Sequence, residues 1–168
     1  MAHNFIEMNK KIIQILVTAL ILFISMDANA VIHKFTLFTS APKITEANVM
    51  GSPSVPGDYL MFSANISKTQ GGSSIGYFVG EQIEVLAKEV GHPEIRIASF
   101  SFMFTSKDQL YVQGANFYVS DKNPGLIVGS SVYRIVCGGT GKYFGARGEV
   151  VSTRLPDGSY KHVFKLMR

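Results

Sequence analysis

The sequence predicts an all-β fold, an eight-stranded antiparallel up-and-down β-barrel, and three observations carry that prediction. Segments rich in β-branched and aromatic residues alternate with period two along most of the chain after Ala30. The six prolines, Pro42, Pro53, Pro56, Pro93, Pro124 and Pro156, all fall between those segments. Proline cannot donate to a ladder, so this placement is what a sheet requires. The joints carry turn chemistry: Gln70-Gly71-Gly72-Ser73, Lys107-Asp108, Asp121-Lys122-Asn123-Pro124-Gly125 and Leu155-Pro156-Asp157-Gly158.

Residues 1–30 read as a secretory signal peptide. Lys10 and Lys11 supply a positive n-region, and Ile12 to Ile24 is an apolar run interrupted only by Gln14 and Thr18. Ala28-Asn29-Ala30 places small residues where a signal peptidase reads them. A membrane anchor is the competing reading. A helix over that run spans about 20 Å, short of a hydrocarbon core of about 30 Å. Cleavage after Ala30 leaves Val31 to Arg168 as one domain. The expected location is outside the cell, or the periplasm in a Gram-negative bacterium, with no membrane contact after cleavage.

The strands are expected near Ile32–Thr39, Tyr59–Ser67, Ile75–Lys88, Ile95–Thr105, Leu110–Ser120, Ile127–Cys137, Gly145–Arg154 and Tyr160–Met167. Most links are short, so sequence neighbours should pair antiparallel. The long link, Ser40–Asp58, is expected to cross one end of a barrel. A sandwich and a closed barrel both accommodate eight such strands. Closure removes the exposed edges, and an eight-stranded barrel holds side chains or one small ligand. Parity puts Phe100, Phe102 and Phe104 on one face of their strand. The opposite face, with Ile95, Ile97 and Met103, is also apolar, and an oligomer or a covering loop would bury it.

Composition narrows the function. Charged residues make up 17% of the chain, against an ordinary share of about a quarter, which excludes a disordered polyelectrolyte. The net charge is +4 with no Lys/Arg cluster longer than two, so the basic stripe of a nucleic-acid binder is missing. The absence of Trp weighs against lipocalin- and avidin-type barrels. Cys137 is the single cysteine, so no intrachain disulfide is available and the apolar core must suffice. A small buried hydrophobe at a strand end is the ordinary role for it, a catalytic thiol the sharper one. His33, His92 and His162 lie far apart, with no metal-ligand spacing.

The stretch from Val136 to Gly148, Val-Cys-Gly-Gly-Thr-Gly-Lys-Tyr-Phe-Gly-Ala-Arg-Gly, reads as a glycine-rich turn between two strands. It fails the phosphate-loop pattern, because Val136 and Tyr143 stand where Gly and Ser/Thr are needed. It also misses the dinucleotide fingerprint by one residue, at Gly145, and no helix is expected after it. The stretch does resemble the Gly-Gly-Thr-Gly-x-Phe-x-x-Ala-Arg-Gly segment of plant dirigent proteins, and the related turn of allene oxide cyclases. Pro56-Gly57-Asp58 with Phe62, Gly76-Tyr77-Phe78-Val79-Gly80, Ser101 to Phe104, and Leu110 to Gly114 are similar to successive pieces of the same superfamily. Together they run from Pro56 to Phe164 in the family's order.

The resemblance implies an apolar barrel cavity, a homotrimer, and no metal or redox cofactor. It implies a secreted barrel that binds a small hydrophobic ligand and steers its cyclisation or stereoselective coupling; as an enzyme it would be a cofactor-free isomerase or cyclase. The alternative is a noncatalytic carrier or structural barrel that has lost the chemistry. Carried over residue by residue, the ligand-binding candidates are Leu60, Phe62, Gln82, Arg96, Phe100, Phe102, Asn116 and Arg147. Arg147 matches the Arg of the dirigent Ala-Arg-Gly motif, where it belongs to the cavity. A surface Arg paired with Glu149 is the other reading. Glu84 is a candidate general acid or base if burial raises its pKa, and otherwise a solvated strand-end carboxylate. Asp58 fits a turn-stabilising role as well as a chemical one. The chain also departs from the family. Ala64 and Gln82 replace a pocket Asn and Cys of allene oxide cyclases, the first strand lacks their Glu, and the acids and paired cysteines of plant dirigents are missing. It therefore reads as a divergent member.

Overall fold

The computed structural model describes Gln14 and residues 32–47, 55–86, 93–118 and 126–167. The chain divides into two units, Met1–Ala30 and Val31–Arg168. Of the first, only Gln14 is described, in helical conformation, so the expected signal peptide lies outside the described residues.

The second unit is built from nine strands: β1 (Ile32–Thr39), β2 (Lys43–Ala47), β3 (Tyr59–Ser67), β4 (Gly76–Leu86), β5 (Glu94–Met103), β6 (Gln109–Tyr118), β7 (Ser131–Thr140), β8 (Arg147–Arg154) and β9 (Tyr160–Met167). All pairings are antiparallel, and β3 through β9 pair in sequence order. β1 pairs with β9 along its whole length and touches β3 at Phe38 and Thr39, which closes an eight-stranded barrel.

The link Ser40–Asp58 was expected to cross one end of the barrel, and its residues 48–54 lie outside the described residues. Its first part is β2, which continues along β3 where β1 leaves off. Pro42 has no N–H and breaks the ladder. The register slips by one residue across the break, so β1 and β2 form one bent stave. Several strand ends differ from expectation by one or two residues, and the two ends of β7 differ by more. β7 begins at Ser131, because Ile127 to Ser130 forms a turn closed by the Ser130 N–H on the Ile127 carbonyl. The strand instead runs on through Gly138 and Gly139, with Cys137 as the extra residue of a bulge opposite Tyr111 and Val112. The glycine-rich turn also holds a single 3-10 turn, Gly141–Tyr143, where no helix was expected.

Even-numbered residues of β3 to β6, β8 and β9 face inward. Ile66, Phe102, Leu110, Val112, Val136, Val150, Phe164 and Leu166 are buried to within a few percent. Stacked, tilted and edge-on ring pairs join Phe35, Phe164, Phe102 and Phe78. Complete burial of such side chains contributes about 1.5–3 kcal/mol each, so this core supplies what disulfides provide in small disulfide-bonded domains. Outward, Ile97, Tyr111, Phe117, Tyr133 and Ile135 on β5, β6 and β7 are exposed. No described loop covers them.

Candidate functional site

The barrel interior changes character along its axis. On β5 the inward series runs Glu94, Arg96, Ala98, Phe100, Phe102, from charge to aromatic ring. On β4 it runs in the opposite chain direction, from Phe78 through Gly80 and Gln82 to Glu84. β6 runs from Leu110 to Asn116 and Tyr118, and β9 from Leu166 and Phe164 to His162 and Tyr160. Antiparallel pairing brings the polar ends together. They surround a pocket with a cavity volume of about 60 Å³ that opens to solvent at its mouth.

Leu60, Phe62, Phe78 and Phe100 form the apolar wall, and Ile44 and Pro42 of the bent first stave close one side. The rings of Phe62, Phe78 and Phe100 have centroids 5.1–5.7 Å apart. Gly80 makes this packing possible: a Cβ there would sit 2.5 Å from Cδ1 of Phe100 and from the Ser99 carbonyl. The polar points are Gln82, Tyr118, Arg134, Ser152, Tyr160 and His162.

Arg134 is the unusual member. It is 6% exposed and lines the pocket. Its Nη2–H donates to Tyr118 Oη at 3.3 Å, and its Cζ lies 4.7 Å over the Phe100 ring. Its Nε–H is buried with no hydrogen-bond acceptor, and no described carboxylate forms an ion pair with it. Burial pushes its pKa below the ordinary guanidinium value, with the Tyr118 and Tyr160 phenols acting the other way. It remains cationic, because no protein environment deprotonates arginine near neutral pH. A buried charge without a counter-charge costs several kcal/mol, and a cation–π contact returns about 2 kcal/mol at most. Gly114 makes room for the side chain: a Cβ there would lie 3.1 Å from Cγ of Arg134.

His162 is fixed and neutral. Its Nδ1 bonds the Ser152 hydroxyl at 2.8 Å and its Nε2 the Thr39 hydroxyl at 3.1 Å. Burial, and then the nearby Arg134 charge, push its pKa down to about 3. Tyr160 is raised by burial, opposed by the Arg154 charge, so its phenol stays protonated. Tyr118 Oη accepts from Gln82 Nε2 at 2.9 Å as well as from Arg134. The pocket therefore offers fixed donors and rings, and neither His162 nor Tyr160 on its wall exchanges a proton near neutral pH.

The structure gathers four of the sequence-derived candidates, Leu60, Phe62, Gln82 and Phe100, on the pocket wall. Phe102 lies deeper, 1% exposed, against Phe78, His162 and Phe164, and belongs to the packed core. Arg96 and Asn116 face inward as register partners but do not line the pocket. Arg96 Nε contacts Glu94 Oε1 closely, its Nη1 reaches Gln82 Oε1 at 3.4 Å, and its Cζ lies 4.7 Å over Tyr118. Glu84, 1% exposed, is the cross-strand partner of Arg96 and is likewise outside the pocket lining, so the solvated strand-end reading is corrected. Asp58 accepts the Val55 N–H at 3.1 Å, which is the turn role.

Arg147 requires the largest correction. It opens β8 with odd parity, is exposed, and donates from Nη1 to the Ala146 carbonyl at 2.9 Å. Its guanidinium covers Gly138 on the outside of the barrel. It does not line the cavity; the surface reading holds for its placement but not for its partner, since Glu149 pairs with Lys165 at 2.6 Å. Arg134 went unrecognised in the sequence, although it is a lone cation at an even position between Val132 and Val136. That pattern, a charge on an otherwise apolar inward face, was the available signal. Among the described residues no three His, Cys, Asp or Glu come together as a metal site.

No family model and no curated protein matches the chain. Solved structures do share its fold. A structure described as pyocyanin demethylase superposes with a TM-score of 0.64 at 17% identity, covering 80% of this chain and 99% of its own. AbnU, described as an exo-specific intermolecular Diels-Alderase, gives 0.58 at 13% identity, with 82% and 99% covered. The Diels-Alderase AbmU from Streptomyces koyangensis gives 0.57 at 11% identity, with 89% and 74% covered. At these identities the likeness is one of fold: a small closed barrel that enzymes acting on small molecules also use.

Proposed function

We propose that the barrel binds a small, largely apolar molecule in the pocket at its polar end and steers a cyclisation or stereoselective coupling of it. The observation that carries this reading is the division of the interior. One end is packed solid with rings, and the other opens into a cavity walled by Leu60, Phe62, Phe78 and Phe100 with fixed donors on the opposite side. Such a site lowers a barrier by holding a reactive conformer and by aiming donors where negative charge develops. Diels–Alder cycloaddition, for which two of the similar structures are named, is chemistry of this kind. It joins two π systems with no net proton or electron transfer, and the lining residues His162 and Tyr160 are not poised to move a proton. That same lack favours the second reading, a noncatalytic carrier. The dirigent and allene oxide cyclase resemblance fits either.

The test is binding of 2-acetylnaphthalene, a neutral flat probe, followed by thermal shift and tyrosine fluorescence. A saturable stabilisation that Phe62→Ala weakens about tenfold, roughly 1.4 kcal/mol, supports the pocket. Unaltered affinity in Phe62→Ala with the fold intact overturns it. Turnover of a diene–dienophile pair with facial selectivity separates catalyst from carrier.

Two further parts of this proposal concern the protein's setting. The exposed apolar residues of β5, β6 and β7 support assembly as a homotrimer, which light scattering tests. Secretion predicts that the exported protein begins at Val31, and an exported chain that keeps residues 1–30 overturns it.

A further inference from the structure

We infer that Arg134 seats an oxyanion, and that the ligand class of this barrel is a flat apolar molecule carrying one carboxylate bound between the Arg134 guanidinium and the Tyr118 hydroxyl. The inference rests on the pocket reading above and adds the chemistry of the ligand's polar end.

Among the described residues two inward arginines are buried, and they differ in their partners. Arg96 has Glu94 beside it. Arg134, on the pocket wall, has no described carboxylate. A guanidinium carries five N–H donors, and among the described residues Tyr118 accepts from one of them. Tyr118 Oη in turn accepts two bonds, from Arg134 and from Gln82, so its own proton is left to donate. A ligand oxygen beside this pair would receive an O–H and an N–H together, both strengthened by its charge. His162, the other basic group on the wall, is already occupied by Ser152 and Thr39 and supplies no positive charge. The room that Gly114 leaves for the Arg134 side chain marks the arrangement as built into the barrel. A neutral ligand would leave the buried charge uncompensated; a carboxylate cancels it.

The experiment compares two probes of nearly equal shape, 2-naphthoate and 2-acetylnaphthalene, by calorimetric titration of the protein. The expected result is tighter binding of 2-naphthoate by tenfold or more. Arg134→Met should remove that preference while the affinity for 2-acetylnaphthalene stays within about threefold, and Arg134→Lys should keep part of it. Equal affinities in the unsubstituted protein, or a preference that survives Arg134→Met, overturn the inference and leave the pocket standing. If neither probe binds, the pocket reading fails and this inference with it. Should Arg134→Met not fold, the guanidinium nitrogen resonances of Arg134 in the unsubstituted protein decide. A shift on adding 2-naphthoate but not 2-acetylnaphthalene supports the assignment, and no shift with bound 2-naphthoate overturns it.

Discussion

The two ends of the barrel interior are made by the same strands, with the same inward parity, and do different work. At the packed end, Phe35, Phe102, Leu110, Phe164 and Leu166 exclude water and leave no room. At the open end the same staves present Gln82, Tyr118, Arg134, Ser152 and His162 around a cavity. Stability is concentrated in the first and specificity in the second. Closure lets this happen, because a barrel has no edge to defend and can spend one end on polar groups that would weaken an open sheet. The comparison makes quantitative demands on substitutions at each end.

The largest effects are expected where burial is complete or a buried charge loses its partner. Phe102→Ala removes a ring with 1% exposure from the packed end and should cost about 3–5 kcal/mol in urea denaturation. Phe62→Ala, half-buried on the pocket wall, should cost clearly less. Equal losses would dissolve the division into two ends. Arg96→Met strands the buried Glu94 and should also cost about 3–5 kcal/mol.

His162 predicts a pH dependence of intermediate size. It titrates near its ordinary 6.5 when unfolded and near 3 in the fold. Between those values the unfolded chain holds the extra proton, so stability is full above pH 6.5 and falls as the pH drops toward 3. The slope from this one group is about 1.4 kcal/mol per pH unit. His162→Gln should flatten that limb relative to the unsubstituted protein in urea midpoints taken from neutral to mildly acid pH. Parallel limbs would mean that the imidazole is not the group responsible.

Arg134→Met should behave unlike Arg96→Met. No described carboxylate is left behind, and an apolar side chain of similar length replaces a costly buried charge. Stability without ligand is therefore expected to stay within about 1 kcal/mol or to rise. A loss as large as that of Arg96→Met would show that Arg134 has a structural partner and would remove the reason to seek an anionic ligand.

The sequence made the barrel legible because its signals are local. Period-two alternation, proline placement and turn residues each report on a few neighbours, and in β3 and β9 they locate the strand ends to the residue. β2 was illegible because it is short, exposed along its whole length and follows Pro42. Parity put Phe100 on the inner face, and the family resemblance, in agreement with parity, put Leu60, Phe62 and Gln82 there. What parity cannot report is height along the barrel axis. Phe102 and Phe100 share a face, yet one lies in the core and the other on the pocket wall. Height emerges from the stagger of eight strands, which no single segment contains. Arg134 was missed for a related reason: a lone arginine signals nothing until it is seen, in three dimensions, to pair with no described carboxylate.

Arg147 is where the smallest effect is expected, and it tests how far a motif can be carried by likeness alone. Its odd position at the start of β8 points it outward, and the backbone fixes that choice. Gly148 follows with φ of 149°, a value that side-chain-bearing residues rarely adopt, and a Cβ there would lie 2.0 Å from the Lys165 carbonyl. Turning Arg147 inward would mean shifting the β8–β9 register by one residue, which would carry Val150 and Ser152 out of the interior. The guanidinium instead caps the Ala146 carbonyl in a solvent-exposed position. Arg147→Leu should therefore change stability by no more than about 0.5 kcal/mol, as exposed substitutions do. It should leave the affinity for both 2-naphthoate and 2-acetylnaphthalene unchanged, while Arg134→Met abolishes the difference between them. If Arg147→Leu weakens 2-naphthoate and Arg134→Met does not, the oxyanion contact belongs to the glycine-rich turn and not to the open end of the barrel.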